Sequence, residues 1–147
     1  MNVDAMILCV FLIAGCDDRT YKGRRVAEWV ATTRDTDRTT AANALNEIIP
    51  ARGVPEFNQI AENLWRSNNI SNQMFAMRNP ACAAAHGGEI AAAVESAISS
   101  AAYSGDRLFV DALHLDQSTL EALLPTIKKY CSDAEYETCR TKVRIMK

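Results

Sequence analysis

The chain has 147 residues, 48% of them apolar, with 16 Lys and Arg against 18 Asp and Glu for a formal net charge of −2. That length suits one domain, the apolar fraction excludes disorder along most of the chain, and the lack of basic excess gives no electrostatic case for nucleic acid. Alanine supplies 23 residues while Gly and Pro together supply 10, which favours an all-helical fold, because alanine is the best helix former and is depleted in strands.

In chain order, the first feature is the uninterrupted apolar run from Ala5 to Gly15. As a helix it would span roughly 16 Å against a hydrocarbon core of about 30 Å, too short to cross a membrane but right for the apolar region of a signal peptide. Residues 17–23 are polar and read as a tether. Val26, Trp29 and Val30 then mark one face of a first helix, and Thr33 to Asp37 a polar turn. Ala41, Ala42, Ala44, Leu45 and Ile48 mark a second helix, stopped by Pro50 and Gly53. Phe57, Ile60, Ala61, Leu64 and Trp65 form the cleanest amphipathic stripe, in a helix opened by Pro55. After Asn68 and Asn69, the residues Met74, Phe75 and Met77 predict a short helix ending before Pro80. Asn79-Pro80 reads as a cap and first helical residue, with Gly87-Gly88 as the stop. Ile90 to Ala102 predicts an alanine-rich helix, and Leu108, Phe109, Ala112 and Leu113 another. Ser118 with Glu121, and Ser132 with Glu135, have capping-box spacing and predict the starts of the last two helices, with Pro125 a candidate kink. No stretch alternates with period two, so no sheet is expected.

The residues Leu12-Ile13-Ala14-Gly15-Cys16 resemble a bacterial lipobox. By that resemblance Cys16 carries lipid on its thiol, the bond after Gly15 is cut, and Cys16 becomes the first residue. Two or more acyl chains, at about 0.8 kcal/mol per buried CH₂, then hold the protein on a membrane. Met1 to Ala5 departs from the pattern, with Asp4 and no Lys or Arg where such signals start positively charged. The division is residues 1–15 as signal peptide, 16–23 as lipidated cysteine and tether, and 24–147 as a single all-helical repeat-like domain. The expected address is the bacterial cell envelope, lipid-anchored to a membrane and facing the periplasm or exterior.

A second resemblance lies in Thr20 to Ile49, which looks like the opening unit of HEAT-type helical repeats. It is carried by Tyr21-Lys22-Gly23, Val26, Glu28-Trp29-Val30, Asp35-Thr36-Asp37, Arg38, Ala41-Ala42, Ala44-Leu45 and Ile48. The resemblance implies short antiparallel helical hairpins stacked as a small right-handed solenoid, with a concave face for protein contact. Later units would open at Val54-Pro55, at Ile90 and at Leu120.

Little in the chain points to chemistry. There is no C-x-x-C, no P-loop, no G-x-G-x-x-G, no H-E-x-x-H and no G-x-S-x-G. Cys131 and Cys139 flank a short turn and would come within disulfide reach across a helical hairpin, the alternative being two independent buried thiols. Cys82 reads as a small core residue and His86 as a helix-terminal histidine. Asp111 and His114 sit i, i+3, flanked by Asp106 and Asp116, but a metal site there needs a third convergent ligand. The expectation is therefore no catalytic, cofactor or metal site, and a membrane-anchored scaffold or interaction module with an unidentified protein partner. Two alternatives stay open: a non-lipidated helical binding or inhibitor protein, and an enzyme or ligand carrier with a pocket near His114, Asp111 and Tyr103.

Overall fold

A computed structural model describes residues 19–146; the apolar run, the lipobox-like residues and Cys16 lie outside them. The protein is all-α, with nine helices and almost no strand among the described residues. The helices are α1 (Val26–Thr32), α2 (Arg38–Ile48), α3 (Pro55–Arg66), α4 (Ile70–Ala76) and α5 (Pro80–His86). They continue as α6 (Ile90–Ser99), α7 (Gly105–Ala112), α8 (Gln117–Tyr130) and α9 (Asp133–Met146). The described chain divides into two compact units, one ending at Leu45 and the other beginning at Asn46.

In the first unit the expectation of no sheet needs a small correction. Thr20–Tyr21 (β1) pairs antiparallel with Arg24–Arg25 (β2) inside the segment read as a tether and the start of the first helix. Lys22 and Gly23 join the strands with φ of 48° and 78°. Two positive φ values are what a two-residue type I′ hairpin turn needs, and glycine adopts one without steric cost. The Trp29 indole donates to the Tyr21 carbonyl at 2.7 Å, and the Arg24 guanidinium lies 4.3 Å from the Trp29 ring, so the hairpin is fastened to α1. A ladder of two residues gives no period-two pattern to detect. The Asp-x-Asp segment does cap α2: Asp37 accepts from the Thr39 amide at 3.1 Å and the Thr40 hydroxyl at 2.8 Å.

In the second unit most helix starts are set by local side-chain caps. Asn69 accepts from the Asn72 amide at 3.1 Å to open α4, and Asn79 from the Cys82 amide at 2.9 Å to open α5. Ser132 and Glu135 form the expected reciprocal capping box at the start of α9, at 2.9 and 3.1 Å. At α8 the cap is Asp116, which accepts from the Thr119 amide at 2.8 Å; Ser118 falls inside the first turn instead. Helix α8 runs unbroken through Pro125. Helix α6 stops at Ser99, short of Ala102, because Ala101 turns to φ 61° and the Ala102 amide folds back onto the Ala97 carbonyl at 2.9 Å.

The helices of this unit pack chiefly on near neighbours in sequence. Helices α3 and α4 pair closely, as do α8 and α9; α5 lies on α3, and α4, α6, α8 and α7 each touch the next and close back on α4. Phe57, Met74, Ile90, Val94, Leu108, Leu120, Leu123 and Ile127 fill the core. Each buried aliphatic or aromatic side chain of this size contributes about 1.5–3 kcal/mol relative to exposure. Gly105 is required where α7 meets the end of α8, since a Cβ there would run into the Tyr130 carbonyl.

Candidate functional site

Two polar clusters in the second unit bring histidine together with carboxylates, and they are built differently. The first lies where α5 crosses α3. Cys82 and His86 are i and i+4 on α5, so both side chains lie on one face of that helix. Glu62 comes from the last turn and a half of α3. Its Oε2 lies 2.8 Å from His86 Nε2, while its Oε1 accepts from Arg66 Nε at 3.0 Å. The other imidazole nitrogen, Nδ1, is 3.3 Å from Glu89. The Trp65 ring stacks on the imidazole, with centroids 4.7 Å apart and planes 14° from parallel. The histidine is thus fixed in rotation by an aromatic face and in tilt by two carboxylates.

Position along the fold explains the third member. Asn79 is fully buried at the start of α5, where it donates to the Ile49 carbonyl at 2.9 Å and to Asn58 Oδ1 at 3.0 Å. These bonds, with the Cys82 amide, anchor the first turn of α5 against α3. Cys82 is buried beside Ala61, its Sγ 3.9 Å from the Ala61 carbonyl oxygen. One ligand atom from each of Glu62, Cys82 and His86 lies within 4.8 Å of the others, making them a three-ligand group among the described residues. A pocket of about 300 Å³, bordered by Pro55, Asn58, Gln59 and Ala81, opens onto Glu62 and Cys82. Hydrogen bonding from His86 holds the Glu62 carboxyl below its usual pKa, against an opposing effect of desolvation. Burial, with the nearby Glu62 charge, pushes the Cys82 thiol up to about 11. At neutral pH the cysteine is therefore a protonated thiol and the glutamate is ionised.

The second cluster holds the residues singled out from sequence around His114. Tyr103 is buried and its hydroxyl donates to Asp111 Oδ2. Burial, then that bond, raises the Tyr103 pKa strongly. Lys142 of α9 donates to the Leu113 carbonyl. Desolvation and the adjacent Arg78 and Lys142 charges lower the His114 pKa, partly offset by Asp111. Arg78 is half-buried with its Nε lacking a hydrogen-bond partner among the described residues, and its guanidinium lies 4.6 Å from the Phe75 ring. Asp116 is committed to capping α8. Asp111, His114 and Asp116 thus do not gather into a three-ligand group.

The cysteines near the chain end are free thiols. Cys131 donates its S–H to the Gly105 carbonyl at 3.3 Å, and Cys139 is buried on α9. The structure therefore contains the pair in the thiol form, with Cys131 turned toward α7. Burial, then nearby Glu135, pushes Cys131 up to about 11. The group at Glu62 went unnoticed in sequence. The available signal was a Cys-x-x-x-His spacing inside a helix, incomplete without a carboxylate 20 residues earlier.

No family model, curated protein or solved structure matches this chain.

Proposed function

We propose that the protein is a lipid-anchored helical interaction module of the bacterial cell envelope. The observation that carries this reading is Leu12-Ile13-Ala14-Gly15-Cys16 at the end of an eleven-residue apolar run. No helix among the described residues is long and apolar enough to cross a membrane, so attachment in this reading comes from acyl chains on Cys16. The globular part supplies the contact surface through helical hairpins. Val110 on α7 and Ile145 and Met146 on α9 are large apolar side chains left exposed to solvent. Side chains of this kind suit contact with another protein better than contact with a small polar ligand. The expected role is scaffolding, without chemistry at Tyr103, Asp111 or His114.

Metabolic labelling with a palmitate analogue in a bacterial host tests the proposal. The full chain should take up label and Cys16→Ala should take up none, with the uncleaved precursor accumulating under globomycin. A wild-type chain that is exported or retained without label contradicts the reading.

A further inference from the structure

We infer that Glu62, Cys82 and His86 form a binding site for a divalent transition-metal ion, with zinc the ion their donor set fits best. The site is independent of the lipid-anchored reading above. Thiolate, imidazole and carboxylate together are the ligands zinc takes, whereas magnesium and calcium call for oxygen alone. Two ligands come from one turn of α5 and the third from α3, so the site is held on rigid elements.

The distances support an ion at this place. Tetrahedral zinc, with bonds of ~2.0–2.1 Å to nitrogen and oxygen and ~2.3 Å to sulfur, spaces its ligand atoms by about 3.3–3.6 Å. Glu62 Oε2 and His86 Nε2 are now 2.8 Å apart and must open slightly; all three ligand atoms fall within 4.8 Å and must otherwise close by about an ångström.

The surroundings are arranged as metal sites require. A metal-bound histidine normally gives its second ring nitrogen to a carboxylate, which fixes the tautomer. Glu89 stands 3.3 Å from His86 Nδ1, leaving Nε2 for the ion, and Trp65 holds the ring plane. Arg66 occupies one Glu62 oxygen, so Glu62 would bind through Oε2 alone. The pocket along Asn58 and Gln59 reaches Glu62 and Cys82, providing an entry path and room for water in a fourth position. On binding, the Cys82 thiol proton leaves to solvent. The proton His86 shares with Glu62 leaves Nε2, so that the ring keeps a single proton on Nδ1 facing Glu89, and the Glu62–His86 hydrogen bond is replaced by two bonds to the metal. A His–Glu pair serving only as a surface tie needs neither a convergent thiol nor a second carboxylate on the far nitrogen.

Titration of the full chain, kept reduced, with Co²⁺ tests the site. The expected result is one ion per chain, a near-ultraviolet thiolate-to-cobalt absorption band, visible bands of tetrahedral intensity, and loss of all of them on adding Zn²⁺. Cys82→Ser should abolish the near-ultraviolet band, while Glu62→Gln and His86→Gln should each weaken binding at least ~100-fold. Glu89→Gln should weaken it by ~10–100-fold, as for other supporting carboxylates. Because Cys82 is buried, the half-buried Glu62 and His86 variants, with helical circular dichroism matched to wild type, decide the question if Cys82→Ser does not fold. No saturable binding, or cobalt spectra unchanged in folded Glu62→Gln and His86→Gln, overturns the inference.

Discussion

The two histidine clusters both set an imidazole near carboxylates, and they arrange it to different ends. Around His114, most of the charged and polar groups are consumed internally, Tyr103 by Asp111, Lys142 by a carbonyl and Asp116 by a helix start, with Arg78 Nε left over among the described residues. Around His86 the polar groups are also paired, Glu62 with His86 Nε2 and Glu89 with Nδ1, but a buried thiol converges on the same pair. Glu62 presents one oxygen, Cys82 a thiol and His86 one nitrogen toward the same few ångströms, beside an open pocket. What sets the His86 cluster apart is that its ligand atoms converge beside open space, where an ion can replace the hydrogen bond between two of them. The polar residues near His114 were the more conspicuous in sequence because they are local; those near His86 are the better placed.

Substitutions separate the two regions by size of effect. Gly105→Ala should be the most damaging, destabilising the protein by about 3 kcal/mol in urea unfolding, since its Cβ meets rigid backbone at Tyr130. The fold around α3 and α5 should keep its cobalt spectrum in the surviving folded fraction. Tyr103→Phe leaves the Asp111 carboxylate without its buried donor and should cost about 2 kcal/mol, again with metal binding unchanged. A Tyr103 variant that lost metal binding would erase the distinction between the clusters.

Glu62→Gln should be the mildest for the metal-free fold, at about 0.2–1 kcal/mol, because the hydrogen bond to His86 that it weakens is partly solvated. Its effect has a defined pH sense. The Glu62 pKa is lowered on folding from an ordinary 4.5, mainly by the His86 hydrogen bond. Its contribution is therefore present above pH 4.5 and lost as pH falls through the lower folded value. The gap in urea midpoint between wild type and Glu62→Gln should be open at pH 7 and shrink at pH 3; a gap that widens on acidification breaks the account.

Much of the fold was legible because its determinants are short-range. Asn79-Pro80, Gly87-Gly88 and the Ser132–Glu135 box each act within four residues, so spacing alone located the ends of α5 and the start of α9. The α8 start was misplaced by two residues because Asp116 with Thr119 and Ser118 with Glu121 offer competing caps at the same spacing. The acid won, its carboxylate accepting the Thr119 amide at 2.8 Å. The end of α6 was hidden because alanine does not advertise a left-handed residue as glycine does, yet Ala101 takes that role. The Glu62 group was illegible for a different reason. It depends on α5 meeting α3, an approach fixed by Asn79 bonding to Ile49 and Asn58, 30 and 21 residues away.

The central claim, that metal-ligand atoms converge at His86 and not at His114, is tested most directly by urea unfolding of the reduced full chain with and without zinc. An ion that binds the folded chain at a hundred times its dissociation constant stabilises it by about 2.7 kcal/mol. Wild type and Tyr103→Phe should both gain close to that amount, and His86→Gln should gain almost nothing. Equal gains in His86→Gln and wild type, or no gain in any of the three, would contradict the claim.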